Sequence, residues 1–268
     1  MRRRKPGRNR MEDLRKGVYV LPNILTTANL FVGVFSIISS VNGEFHKAAM
    51  AIMISSVLDV FDGKIARLTR ASSRFGVEYD SLADLVSFGI APGVLLYEWS
   101  LHHMGRLGWL TVFLFVACGA LRLARYNVRS SSADSRFFQG LPIPGAAIMA
   151  ATYVMLLVNA GVVKPSSEHA AGKLAIFMMI GLGLLMVSNV KYRSFKNVDV
   201  VKKSPFNFLV ALVMFIAVVA SKPWIMLFLL SLVYVGSGPV SLAVKLLRAG
   251  RAAHKKPSPA VYNDKNHG

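Results

Sequence analysis

The chain has 268 residues and a formal net charge of +19, from 32 Lys+Arg against 13 Asp+Glu, yet 54% of its residues are hydrophobic and only 17% are charged. A soluble nucleic-acid binder could carry that charge but would not be this apolar, and a disordered basic protein is excluded for the same reason. Cys118 is the sole cysteine, which rules out an intrachain disulfide and a cysteine-based metal cluster. With a mean hydropathy of +0.47, the composition points to an all-α, polytopic membrane helix bundle with basic loops.

From the N-terminus, Met1 to Lys16 carries eight basic residues ahead of the first apolar block. That block runs too long for a cleavable signal peptide, and no small-residue cleavage pattern follows it. The Arg2-Arg3-Arg4 run reads as a topology anchor that meets anionic headgroups. A spanning helix needs about 20 mostly apolar residues, and eight blocks qualify: 21–41, 46–66, 81–99, 107–126, 143–163, 173–190, 206–221 and 223–245. The last two are parted only by Lys222 and Pro223, which predicts a tight helical hairpin. The expected organisation is a basic segment over 1–17, a membrane domain over 18–248 and a basic, disordered tail over 249–268.

Loop charge sets the orientation. With the N-terminus in the cytoplasm, 27 of the 32 Lys and Arg fall in the head, the tail and the inner loops, leaving Lys47, Arg106, Lys164, Lys173 and Lys222 outside. The asymmetry predicts an even number of spans with both termini cytoplasmic in the cell's inner membrane. It also accounts for the net charge without nucleic acid as a partner.

Four aspartates sit where a membrane chain should avoid them: Asp59 and Asp62 late in the second block, Asp80 and Asp84 at the start of the third. Charges at membrane depth are costly, and they line polar cavities or bind cations. Spacings of three and four residues put each pair on one helix face. A polar turn over 69–79 lets the two helices return antiparallel, so the pairs can face each other at the cytoplasmic edge. Clustered carboxylates need something positive among them, and oxygen-only ligands suit Mg²⁺ or Mn²⁺, with four carboxylates sufficient for two ions. Gly63 and Ala66 remove bulk beside the acids, and Arg67 could hold a phosphate. From the residues alone, a metal-dependent enzyme, a divalent-cation transporter and a set of structural salt bridges to Lys64, Arg67, Arg70 and Arg74 all stay open. The histidines are not spaced with the aspartates and read as non-ligands.

The stretch from Asp59 to Asp84 resembles the signature of the CDP-alcohol phosphatidyltransferase family, Asp-x2-Asp-Gly-x2-Ala-Arg-x8-Gly-x3-Asp-x3-Asp. Asp59, Asp62, Gly63, Ala66, Arg67, Gly76, Asp80 and Asp84 fill every fixed position. The run from Leu21 to Leu30, the turn Gly140-Leu141-Pro142-Ile143-Pro144 and the segment from Ser188 to Lys196 are most similar to the bacterial branch whose acceptor is serine.

The resemblance implies transfer of the phosphatidyl group from CDP-diacylglycerol to L-serine, releasing CMP, at a site with two divalent ions, Mg²⁺ or Mn²⁺. It implies that Asp59, Asp62 and Asp80 bind one ion, that Asp59, Asp80 and Asp84 bind the other, and that Asp84 is the general base. It places Asn23, Thr26, Gly63, Ala66, Arg67, Ser73 and Gly76 against the CDP-lipid, and it suggests a homodimer among membrane lipids. Serine brings a carboxylate that needs a cation, for which Arg122, Arg125, Lys191 and Arg193 are candidates. The rivals are a relative with glycerol 3-phosphate or inositol phosphate as acceptor, and the transporter.

Overall fold

A computed structural model describes residues 7–69, 73–129, 137–165, 170–193, 210, 213–214, 217 and 219–253. The elements in chain order are α1 (Gly7–Val41), α2 (Phe45–Thr69), α3 (Arg74–Asp84), a π-helical segment (Leu85–Ile90), α4 (Ala91–Trp99), a 3-10 turn (Leu101–Met104), α5 (Gly105–Arg129), β1 (Phe137–Gln139), α6 (Ile143–Asn159), α7 (Ala170–Val187), β2 (Lys191–Arg193) and α8 (Pro223–Ala253). The protein is a helical membrane protein, and among the described residues its strands amount to one short antiparallel ribbon with Phe138 opposite Tyr192.

Among the described residues, five segments are long and apolar enough to cross a membrane: Pro22–Val41, Arg74–Trp99, Leu101–Val128, Ala170–Val187 and Pro223–Val244. They match the first, third, fourth, sixth and eighth apolar blocks. The second block is the helix α2, whose Lys47, Asp59, Asp62, Lys64 and Arg67 lower its hydropathy. The fifth is α6, apolar but only 17 residues long. The seventh falls largely outside the described residues, as do residues 1–6 of the basic head and 254–268 of the tail. A bend at Lys222 separates residue 221 from α8, as the Lys222-Pro223 pair predicts.

Two boundaries differ from the sequence reading. Helix α1 begins at Gly7, well before the apolar block, because the Arg, Met, Glu, Leu and Lys of the head are good helix formers. The return between α2 and α3 is shorter than residues 69–79. Ser73, in an extended conformation, caps α3, its side chain accepting from the Gly76 N–H at 2.9 Å, so the chain from Arg74 onward is already helical.

The surface is apolar where lipid would solvate it: Phe31, Phe35, Phe113 and Phe177 point outward. Polar groups turn inward instead, with Asn29, Ser36, Ser40, Ser55 and Ser87 fully buried. Helices in lipid associate through close packing and interhelical hydrogen bonds rather than through a hydrophobic drive. Accordingly α6, which packs on α2 and α8, has Ala146, Ala147, Ala150 and Ala151 among its buried residues. Thr152 on α6 and Ser231 on α8 share a buried hydrogen bond of 3.1 Å.

Along α1 run α2, then α3, the π segment and α4, while α5 packs on α7. The turn into α6 is built on Gly140, whose φ of +80° L side chains rarely adopt, and a Cβ there would collide with the Met186 carbonyl oxygen. The Gly140 N–H donates to the Val190 carbonyl at 2.8 Å and the Leu141 N–H to that of Leu185 at 3.0 Å, which fastens the turn to the end of α7.

Candidate active site

The site is assembled where α1, α2, α3 and α5 converge. The face of α1 with residues three apart, Asn23, Thr26 and Asn29, turns toward α2 and α3. Thr26 donates to the Pro22 carbonyl at 3.2 Å and to Asp62 Oδ2 at 3.4 Å. Asn23 Oδ1 lies against Gly76, where a Cβ would sit 3.3 Å from it and 3.2 Å from Ser73 Oγ. Thr27, on the adjoining face, donates to the Asn23 carbonyl at 2.7 Å and pairs with the Tyr79 hydroxyl at 3.0 Å. These contacts tie the first helix to the N-terminal turns of α3.

The aspartates come together as their spacing predicts. Single carboxylate oxygens of Asp59, Asp62 and Asp80 lie within 4.8 Å of one another. Asp62 is buried, and one oxygen each of Asp62 and Asp80 is buried with no hydrogen-bond partner. Asp84, 9% exposed, lies within electrostatic reach of Asp59, Asp80 and Asp62. Carboxylates so placed repel one another, and buried oxygens without donors lose their water for nothing in return. An all-oxygen, like-charged donor set with unpaired lone pairs fits a hard divalent cation.

Around this cluster the predicted residues divide. Arg122, in the C-terminal part of α5, is buried, interacts electrostatically with Asp84, and has a buried Nε with no hydrogen-bond partner. Arg125, one turn further, donates to the carbonyls of Val187 at 3.1 Å and Ser188 at 3.3 Å and so closes the end of α7. Gly63 follows Asp62 in the helix α2. The side chains of Ala66, Arg67, Lys191 and Arg193 lie outside the described residues, although their backbones belong to α2 and β2.

Two asparagines belong to the site without having been assigned to it. Asn29 is fully buried and donates to Asp84 Oδ1 at 3.4 Å. Asn127, on α5, donates to Ser81 Oγ at 2.9 Å and to Glu78 Oε2 at 3.4 Å, bridging α5 to α3. The available signal for Asn29 was its three-residue step from Thr26. For Asn127 it was its place two residues beyond Arg125.

Fold and site together define a helical membrane protein with a buried carboxylate site fitted to a divalent cation. A family profile described as CDP-alcohol phosphatidyltransferase matches residues 19–187, and the chain belongs to that family. It is 36% identical over 206 residues to the CDP-diacylglycerol--serine O-phosphatidyltransferase of Helicobacter pylori (strain ATCC 700392 / 26695), covering 77% of this chain and 84% of that one. It is 31% identical over 263 residues to the protein of the same name from Mycobacterium tuberculosis (strain ATCC 25618 / H37Rv), covering 94% and 86%. The archaetidylserine synthase of Methanothermobacter thermautotrophicus is 33% identical over 174 residues, covering 64% of this chain and 69% of that one.

Proposed function

We propose that this protein transfers the phosphatidyl group of CDP-diacylglycerol to the hydroxyl of L-serine and releases CMP. The observation that carries the reading is the buried Asp84 beside the Asp59, Asp62 and Asp80 cluster, in a family of phosphatidyltransferases. Relatives of 31–36% identity named for serine support the acceptor.

Asp59, Asp62 and Asp80 would hold one divalent ion, Mg²⁺ or Mn²⁺, and Asp59, Asp80 and Asp84 a second. Such ions, when bound, neutralise charge on the pyrophosphate. Asn23, Thr26, Gly63, Ala66, Arg67, Ser73 and Gly76 bind the CDP-lipid, and the absence of a side chain at Gly76 lets Asn23 and Ser73 close in beside it. Asp84 accepts the proton of the serine hydroxyl. That oxygen bonds to the phosphorus bearing diacylglycerol, and the bond from this phosphorus to the CMP oxygen breaks. The proton stays on Asp84 until water takes it, and CMP leaves with the electron pair. General base catalysis of this kind is worth about 10²–10⁴ in rate.

Of the four candidate ligands for the serine carboxylate, Arg122 has the strongest support, because its buried guanidinium keeps an N–H without a partner. Arg125 is engaged at the end of α7, and Lys191 and Arg193 rest on the sequence alone. The active site faces the cytoplasm, where serine and CMP are soluble, and the acyl chains enter sideways between helices. The working unit is a homodimer by likeness to the family.

The test is CMP release from CDP-diacylglycerol by purified protein with Mn²⁺ or Mg²⁺, offering serine, glycerol 3-phosphate and inositol phosphate separately, with Asp84→Asn as control. Release with serine alone, lost in the variant, is the expected result. Release only with a phosphorylated acceptor overturns the serine assignment. Release with none, alongside metal flux in liposomes, returns the site to a transporter.

A further inference from the structure

We propose that Asn29 is a positioning residue for Asp84, holding the base carboxylate in its working orientation through a side-chain amide that Ser55 fixes from behind. The inference rests on the reading of Asp84 as the base.

Asn29 lies on α1 and its side chain points between α2 and α3 with no exposed surface. Its Nδ2 donates to Asp84 Oδ1 at 3.4 Å. A carboxylate only accepts, so the end of the amide that faces Asp84 is the nitrogen, and the oxygen faces the other way. On that other side is Ser55 of α2, whose hydroxyl is shared between Asn29 Oδ1 and the Asn29 backbone carbonyl, the latter at 3.2 Å. A flipped amide would turn its oxygen against the Asp84 carboxylate, whereas Ser55, whose hydroxyl can also accept, suits either end.

A second hydroxyl, on Ser87 in the π segment just after Asp84, donates to the same Asn29 carbonyl at 3.1 Å. One turn along α1, Gly33 leaves room for Ser87, and a Cβ there would run into the serine side chain and backbone. Three hydrogen-bonding neighbours, Asp84, Ser55 and Ser87, thus register α1, α2, the end of α3 and the π segment on one asparagine. An asparagine serving only as interhelical glue would spend its amide on a hydroxyl or carbonyl. This one gives its amide to the carboxylate assigned the proton transfer, and ties up one of its two oxygens, leaving Oδ2 for chemistry.

The test uses the full-length protein in detergent with CDP-diacylglycerol, serine and Mn²⁺, comparing Asn29→Ala, the isosteric Asn29→Asp, Ser55→Ala, Asp84→Asn and the Asn29→Ala/Asp84→Asn pair. Misplacing a reacting group by about 1 Å can cost about 10²-fold. Asn29→Ala is therefore expected to lower kcat about 10- to 100-fold with KM for CDP-diacylglycerol within about twofold. Asn29→Asp should do no better, since a second carboxylate replaces the donor, whereas a packing role would be rescued by it. Ser55→Ala should lower kcat by about 3- to 10-fold, and it decides the matter if Asn29→Ala does not fold. The two-residue variant should be no slower than Asp84→Asn alone, the signature of groups acting as one unit. The rise in Tm on adding Mn²⁺ should persist in Asn29→Ala, because Asp59, Asp62 and Asp80 gather without it.

Normal kcat in Asn29→Ala and Ser55→Ala beside an inactive Asp84→Asn overturns this inference alone. So does additive loss in the pair, rescue by Asn29→Asp, or a vanished Mn²⁺ shift. Near-normal turnover of Asp84→Asn overturns the assignment of the base instead, and the inference falls with it.

Discussion

Asp62 and Asp80 each keep a buried oxygen with no protein donor. That arrangement is costly unless a cation completes it, so each acid should be more valuable to metal binding than to the apo fold. Asp62→Asn and Asp80→Asn are expected to abolish the Mn²⁺-dependent rise in Tm and to cut CMP release at least about 100-fold, with the metal-free Tm unchanged or higher. Differential scanning fluorimetry with and without the ion reads both. Arg122 poses the same problem with the opposite charge. Its replacement by Gln is expected to raise the serine KM about tenfold or more and to leave the CDP-diacylglycerol KM within about twofold. Equal effects on both substrates would remove it from the serine pocket. At this scale the aspartates were legible because carboxylates in apolar blocks are conspicuous. The difference between Arg122 and Arg125 was not. Both lie on α5 one turn apart, and only the carbonyls at the end of α7 tell them apart.

Elements carry the site through a few backbone junctions. Ser73 caps α3, and its replacement by Ala is expected to cost about 1 kcal/mol. It should also loosen the Gly76 turn, which the CDP-diacylglycerol KM would register. Gly140 sits at φ +80° with the Met186 carbonyl where a Cβ would go. Gly140→Ala is therefore expected to destabilise the protein by about 1–3 kcal/mol, visible as a lower Tm in detergent. The π segment Leu85–Ile90 follows directly on Asp84, and π turns are often found at functional sites. Periodicity could not foresee it. Its apolar residues read equally well as α-helix, and the packing of Ser87 in that segment against Asn29 and Gly33 exists only in the folded chain.

For the whole molecule, orientation is the property to measure. On the eight-span reading 27 of 32 Lys and Arg fall on one side, and that asymmetry predicts which ends face the cytoplasm. An impermeant thiol reagent added to intact cells is expected to label Arg106→Cys and Lys164→Cys but not Lys64→Cys. The native Cys118, buried between α5 and α7, should stay silent. The reverse pattern would put the site on the outer face and refute the cytoplasmic assignment.

What the sequence determined alone was the solvent and the clustering of the carboxylates. Block length and hydropathy marked a helical membrane protein, because a bilayer-crossing helix must be long and apolar whatever its neighbours are, while of the eight blocks five are such segments among the described residues. The aspartate spacing set the faces, because a helix fixes angle by residue count. Folding decided everything that depends on which helix lies beside which. It joined Asn29 to Asp84, Thr26 to Asp62 and Asn127 to Ser81 across helices. It also sent Arg125 to α7 while leaving Arg122 buried beside the carboxylates. Polar side chains in an apolar solvent must find partners inside the protein, and a one-dimensional pattern records the need for a partner but not its address.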